Sequence, residues 1–548
     1  MFRITLLLLL SLFCDFSFGQ TTLSADQWRE DVRFLQQTVH DSYSFLFKKI
    51  SQEDWDAQVE ELYQAIPEMQ PHEVVAGIGR LVAAFGWGHT DIGLKGILVE
   101  FHRVPLNLYW FKDGIYVEGS HKDYESLLGA RILKVEGVDV LDALDAVKPL
   151  TPVENEQFFK AYGIDFLLVP EALHAQRVTG ELKKTVTLTA EKNGEVKDYT
   201  LDARPGLDFP RQYSLTKAGG DWLSVRDQGE TPYYLRHLDK IYYWEYLPEY
   251  KTVYVRHSQI QDEADEPVPV FYSKIFDFIE NNDVERLVLD VRLNGGGNNY
   301  KNKPVVKGVI RCEKIDQTGK FYVIIGRRTF SACQNLVNEL SNYTNAIFVG
   351  EPTSENLNFY GDNNRIELPH SKIPVYLSFA WWQDKPQWEN KEWMAPHVPV
   401  EMTFDEYRTN QDPVLDAALS FSAENFVLDP MRHFTELFTT GQIERLKSDA
   451  ASMVKDPRYV FFDFEKEFNK VGNRLLGQNQ MEPALFVFQM TTELFPKSPN
   501  AWNSLAEALW KAGQKEQASA LYNKVIQMDP NGPSGEHART MLKKIASE

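Results

Sequence analysis

The chain has 548 residues, 43% of them hydrophobic and 13% aromatic, and a formal net charge of −20. That length exceeds a single hydrophobic core and implies about two to four domains, while the apolar content excludes a disordered chain. The negative charge excludes a general binder of nucleic acid or of anionic membranes, since both need a basic surface. No G-x-x-x-x-G-K-[ST] phosphate loop and no H-E-x-x-H helix occurs, so neither metal nor other cofactor is called for. At the N-terminus Arg3 precedes an apolar run from Ile4 to Phe13, and Ser17-Phe18-Gly19 offers small residues at cleavage spacing. This reads as a signal peptide over 1–19, cut before Gln20 and too short to span a membrane. A secreted or periplasmic location follows. Phe13 stands before Cys14 where a bacterial lipoprotein signal has a small residue, which argues against lipid anchoring there. Cys312 and Cys333 then remain. They could pair in an oxidising compartment, but two cysteines make no disulfide framework, and packing as small buried hydrophobes is expected.

Trp28, Val32, Leu35 and Val39 fall at helical spacing, with further helices expected around Trp55 to Ile66 and Pro71 to Phe85. The third ends in GWGHTDIGL, residues 86–94. Residues 103–203 alternate in short apolar runs: Leu106 to Trp110, Ile115 to Val117, Ala130 to Val135 and Thr185 to Leu188. From Thr231 to about Leu419 strand-like and helix-like segments alternate, as in an α/β core. Thr252 to Val255, Arg286 to Val291, Phe321 to Ile325, Ala346 to Val349 and Val375 to Phe379 read as strands. Phe271 to Ile279 and Cys333 to Leu340 read as helices.

Two segments of this core carry chemistry. LVLDVRLNGGGNN, residues 287–299, is a buried strand closed by a glycine triplet, where backbone N–H groups lie open to approach. RRTFSACQNL follows, with Ser331 at a strand-to-helix junction whose free N–H groups and positive helix end favour a developing oxyanion. Separately, a glycine triplet is a tight turn and the serine a helix cap. Together they point to acyl transfer. Farther on, Pro496 and Pro530, Ala484 and Ala518, and Phe488 and Tyr522 all recur at a 34-residue spacing, the tetratricopeptide period.

Asp290, Arg292, Asn294, Gly296 and Gly297, followed by Thr329 to Ala332, resemble the Asp-x-Arg-x-Asn-x-Gly-Gly turn and Thr-x-Ser-Ala nucleophile segment of the tail-specific (C-terminal processing) serine peptidases, family S41. The glycine-flanked His89 resembles the Gly-His-Thr element of that family's Ser–His–Glu branch. GARILKVEGVDVLDAL, residues 129–144, is similar to the strand–turn–strand–helix of a PDZ domain, a module that binds extended peptide ends by strand addition. Gly350 to Thr353 and Leu368 to Ser371 resemble family loops flanking the site. In the family's Ser–Lys branch a lysine follows the nucleophile. The matching loop here is Thr353 to Leu357, and Asn356 stands at the lysine position. Asparagine cannot accept a proton at neutral pH, so the resemblance implies the histidine branch. Trp388-Glu389-Asn390 ahead of Pro396-His397 resembles the segment that supplies its glutamate, with one extra residue.

The implied site is Ser331 as nucleophile, His89 as base and Glu389 as the orienting carboxylate, with Glu392 as the alternative. Backbone N–H groups of Gly296 and Ala332 are the implied oxyanion donors, with Gly295 or Gly297 able to replace Gly296. The expected fold is α/β multidomain. A helical N-terminal domain spans 20–98, a PDZ-like β-rich domain 99–205, an α/β peptidase core 206–425, a helical linker 426–463 and all-α tetratricopeptide hairpins 464–548. The implied activity is a serine endopeptidase acting on polypeptides, with a protein partner expected on the repeats. Two competing readings use the same residues: a catalytically inactive relative that binds peptides or other ligands, and an esterase.

Overall fold

Helix Ala25–Ser42 begins where Ser24 and Gln27 satisfy each other's backbone N–H groups in a capping box. Its buried stripe contains Trp28, Val32, Leu35 and Val39, the four residues expected from periodicity. Helices Gln52–Ala65 and Pro71–Ala83 complete the N-terminal layer. The computed structural model describes residues 23–226, 229–422 and 426–547, so the readings of residues 1–19 and Cys14 lie outside it. Among the described residues no helix is long and apolar enough to cross a membrane.

The N-terminal helices do not close a core by themselves. Phe359, Leu368, Val375 and Leu377 belong to the same buried cluster, and they come from a hairpin of strands Asn358–Glu367 and Pro374–Gln383. The buried Asp31 side chain ties the two parts together by accepting the His370 and Ser371 N–H groups, each at 2.8 Å. The Leu368 to Ser371 loop is therefore the turn of this hairpin, held by the first helix.

The middle of the chain forms an antiparallel sheet. Its strands run in the order Trp222–Ser224, Gly114–His121, Arg131–Val135, Thr185–Lys192 and Glu195–Asp202, and Leu106–Phe111 pairs with Gly114–His121. Residues 129–144 form the expected strand, turn and helix: Gly137 takes φ 81° in the turn, and Val140–Val147 is the helix.

A six-stranded sheet follows, its strands in chain order: Tyr242–Leu247, Thr252–His257, Arg286–Asp290, Phe321–Ile325, Ile347–Gly350 and Val398–Pro399. The first pair is antiparallel and every later pair is parallel. Its central strands are buried on both faces, as the unbroken apolar runs in the sequence require. Helices Val268–Asn281, Lys303–Arg311 and Ala332–Tyr343 make the crossovers. Cys312 and Cys333 are both free and buried.

Residues 430–547 are helical. Ala484, Ala518, Phe488 and Tyr522 are fully buried at matching places in helices Met481–Leu494 and Lys515–Met528. Helices Pro430–Thr439 and Ile443–Met453, expected as a linker, share one core with the tail: Phe434, Leu437 and Leu446 cluster with Phe464, Phe468, Val487 and Met490.

Asp31 makes the clearest test of this packing. Asp31→Ala leaves two buried N–H groups without their charged acceptor. It is expected to cost about 3 kcal/mol of unfolding free energy in urea titrations, with the tip of the 358–383 hairpin losing amide-exchange protection first.

Candidate active site

The glycine turn and the serine meet at the carboxyl ends of strands Arg286–Asp290 and Phe321–Ile325, where open parallel sheets place their ligand crevices. Arg292 anchors the turn. Its guanidinium is bidentate to Asp412 at 2.7 and 3.0 Å, and its Nε donates to Asp290 at 3.1 Å. The Tyr254 hydroxyl donates to the other Asp290 oxygen at 2.8 Å. Asn294 then reaches back to the His257 carbonyl at 2.8 Å. These residues are the polar half of the motif, and their work is to shape the loop.

The serine loop is held as firmly. Thr329 Oγ1 donates to the Val291 carbonyl at 3.0 Å and accepts from the Gly326 N–H at 3.1 Å. Phe330 N–H donates to the Asn294 carbonyl at 3.1 Å, stitching one loop to the other. Ser331 is left with φ 55° and ψ −129° at the N-cap of helix Ala332–Tyr343. A non-glycine residue there is strained by about 1–3 kcal/mol, and the surrounding bonds must hold it. Gly296, at φ 102°, lies directly against it: a Cβ on Gly296 would come within 2.6 Å of Ser331 Cβ and 2.9 Å of the Ala332 nitrogen.

His89 arrives from the N-terminal layer. Asp91–Ile92 adds as a short strand to Val375–Tyr376 of the hairpin, and Thr90 Oγ1 donates to Ser378 Oγ at 2.8 Å. Asn363 Nδ2 donates to the His89 carbonyl at 3.1 Å. The imidazole stacks on Phe330 with centroids 4.7 Å apart, which brings it to the residue before the serine.

The carboxylate that meets His89 is Glu355. Its Oε1 lies 3.4 Å from His89 Nε2, and its Oε2 accepts the Ser331 backbone N–H. The Glu355 side chain is wholly buried, and burial pushes its pKa up to about 7, with His89 opposing the rise. The His89 side chain is itself largely buried. Burial pulls its pKa down, but the bond to Glu355 and the charges of Glu355, Glu154 and Asp362 outweigh that, and the net direction is upward.

Glu389 and Glu392 are not brought to the histidine. Both side chains are exposed. Glu389 closes a short 3-10 turn, Gln387–Glu389, and lines a groove shared with Lys385, Trp393 and residues of the C-terminal helices. Glu392 is held by its backbone carbonyl, which accepts from Asn155 Nδ2 at 2.6 Å. The physical reason is that the segment runs over the surface, with Gln387 to Glu389 turning in solvent. The glutamate that sequence reasoning passed over sits beside Asn356, in the loop set aside for lacking a lysine. A signal was present, because Thr353 to Asn356 is an all-polar stretch that the structure buries completely or nearly so.

The two N–H groups expected as oxyanion donors differ in their partners. Gly296 N–H donates to Asn294 Oδ1 at 2.9 Å, so it is occupied in this structure. Ala332, at the first helical position, has no acceptor within its helix for its N–H. Among the described residues no cluster of three or more His, Cys, Asp or Glu is arranged to hold a metal ion.

No protein-family model matches this chain, and no curated protein matches it. Among solved structures it is similar to mature CPAF, with a TM-score of 0.51 and 12% identity over 72% of this chain and 96% of that one. It is likewise similar to mature CPAF complexed with lactacystin, at TM-score 0.50 and 12% identity over 72% and 98% of the two chains. The likeness is one of fold.

The contact between turn and serine gives a stability test. Gly296→Ala is expected to lose about 2–4 kcal/mol, because the new Cβ meets backbone and Ser331 at a φ that L residues avoid. Gly295→Ala, whose Cβ would have its nearest neighbour at 3.8 Å, is expected to stay within about 0.5 kcal/mol of wild type in the same denaturant titration.

Proposed function

We propose that the protein is a serine endopeptidase of the tail-specific type, secreted or periplasmic, working through an acyl-enzyme on Ser331. The observation that carries this reading is convergence: the Ser331 backbone N–H and His89 Nε2 both address the buried carboxylate of Glu355. Glu355 accepts the Nε2 proton of neutral His89, which leaves Nδ1 with the free lone pair. As Ser331 Oγ bonds to the substrate carbonyl carbon, its proton passes to that nitrogen. Glu355 stabilises the imidazolium so formed, the part an orienting carboxylate takes in a triad. When the tetrahedral intermediate collapses, the C–N bond breaks and the imidazolium proton goes to the leaving amine. Water then repeats the sequence on the acyl-enzyme and restores Ser331. The Ala332 N–H at the helix start serves the oxyanion, joined by an N–H of Gly295 or Gly297 in place of the occupied Gly296. Each such donor is worth about 3 kcal/mol where it has been measured. The strained serine beside a buried acid–base pair supports this reading over that of a silent binder.

The test is a comparison of variants on a peptide substrate. Ser331→Ala and His89→Ala are each expected to lower kcat/KM by about 10⁴-fold or more, with losses that do not add. Glu355→Gln is expected to fall by about 10²- to 10⁴-fold, while Glu389→Gln stays near wild type. A crippled Glu389→Gln beside an active Glu355→Gln would overturn the assignment of the third member. Full activity in Ser331→Ala would sink the peptidase reading. The pH dependence has a definite sign. Both members of the pair hold their proton more tightly than the free side chains, so the base becomes available only as pH rises. The acid limb of kcat/KM is expected above the ordinary histidine value of about 6.5. A limb near pH 9 surviving His89→Ala would indicate a lysine base instead.

The helical tail is proposed to recruit a protein partner through its tetratricopeptide-like hairpins. Its shared core with residues 430–453 moves the point at which it can be removed. A chain ending at Asp463 keeps Phe434, Leu437 and Leu446 but loses Phe468, Val487 and Met490 from the same cluster. It is expected to aggregate or unfold at lower temperature than a chain ending at Ser422, which is expected to keep turnover of short peptides. Equal stability of the two chains would show that the shared cluster contributes little.

A further inference from the structure

Glu154 lies in the β-rich middle of the sequence, far from every motif, yet its side chain is wholly buried beside His89. Its Oε2 accepts the Gly88 N–H at 2.7 Å. Lys49 grips the same loop from the other side: its ammonium donates to the Gly86 carbonyl at 2.6 Å and to the Glu154 carbonyl at 3.1 Å. That ammonium also lies 4.3 Å over the Trp87 ring and 4.0 Å from Glu154 Oε1. The three residues before His89 are thus each held by this pair. The next residue, Asn155, extends the clamp to the Glu355 loop, donating to the Thr353 carbonyl at 3.2 Å. Glu154 and Asn155 therefore bridge the two loops whose side chains make the His89–Glu355 contact.

We infer that the Lys49–Glu154 pair is a positioning device for His89, fixing the histidine loop against the Glu355 loop and setting the proton affinity of the imidazole. The inference rests on the reading of Ser331 and His89 as nucleophile and base. The electrostatics work as follows. Burial penalises the Glu154 carboxylate and the Lys49 ammonium alike, and each offsets the other's loss of water. The acidic groups acting on His89 are Glu355, Glu154 and Asp362, and those acting on Lys49 are Glu154, Glu392 and Glu355. Without the ammonium, the buried Glu154 carboxylate would more readily take up a proton itself and lose the charge that raises the imidazole. Without the Glu154 charge, the imidazole would release its proton at lower pH.

Loss of either charge is therefore expected to lower the imidazole midpoint, and a restored cation to return it, a pattern tied to charge that a purely structural role does not require. Glu154→Gln keeps an acceptor for the Gly88 N–H and removes the charge. Lys49→Met removes the ammonium, and Lys49→Arg restores a cation. The readouts are the pH dependence of Ser331 labelling by a fluorophosphonate and the NMR titration of the His89 ring in the full chain, its resonance identified by loss in His89→Ala. The midpoint is expected to move down by about 0.5 pH or more in Glu154→Gln, down by a similar amount in Lys49→Met, and to return in Lys49→Arg. Midpoints all within about 0.2 pH of wild type would overturn the inference. If Glu154→Gln does not fold, the contrast between Lys49→Met and Lys49→Arg decides alone. Absence of Ser331 labelling in the wild type would instead strike the nucleophile assignment, and the NMR arm would still judge the pair.

Discussion

Everything at the site depends on one residue held in a backbone conformation it would not choose. Ser331 sits at φ 55° because the chain must leave strand Phe321–Ile325 and enter helix Ala332–Tyr343 within a few residues. The bend is maintained from both sides. Thr329 and Phe330 are bonded to the Val291 and Asn294 carbonyls, and Gly296 is pressed against the serine where no side chain would fit. Strain of this kind persists only where the surroundings over-determine it. Here the surroundings are the Asp290–Arg292–Asp412 network, which fixes the glycine turn and, through it, the serine.

The second constraint is electrostatic. Glu355 and His89 are withdrawn from water, and neither finds its full set of hydrogen bonds elsewhere: Glu355 Oε1 and His89 Nε2 have only each other. Taking a carboxylate and an imidazole into such a place costs free energy, and their mutual attraction recovers it only when their geometry is held. The 3.4 Å separation is long for a hydrogen bond between the two groups. The hairpin that receives Asp91–Ile92 and the first helix that holds its turn through Asp31 are therefore part of the same machine. They keep His89 at a fixed distance from a carboxylate on a different layer.

What the sequence made legible follows from how local each feature is. The serine, the glycine turn and the strands flanking them were readable because turn chemistry and buried-strand patterning are written in consecutive residues. Ala484 and Ala518, 34 residues apart, are both fully buried in the helical tail. Glu355 was not readable as the histidine's partner, because that contact joins positions far apart in the chain and nothing in a Thr-Ser-Glu-Asn-Leu loop says which polar residue turns inward. Glu389 looked right in local pattern and is exposed because its loop folds outward. Gly296 was read correctly as a place of close approach, but its N–H is taken by Asn294, a side chain from the same motif. Helical spacing alone cannot tell that Phe434, in the segment read as a linker, shares a core with Phe468 and Met490.

The central claim is that Ser331, His89 and Glu355 act as one unit. It is tested most directly by a crystal structure of the full chain carrying a phosphonyl group on Ser331. The account predicts the adduct's oxyanion accepting from the Ala332 N–H, with the His89 ring between the adduct and Glu355 and its Nε2 still on the carboxylate. An adduct in which the 386–392 loop has folded in to place Glu389 on His89, with Glu355 turned away, would contradict it.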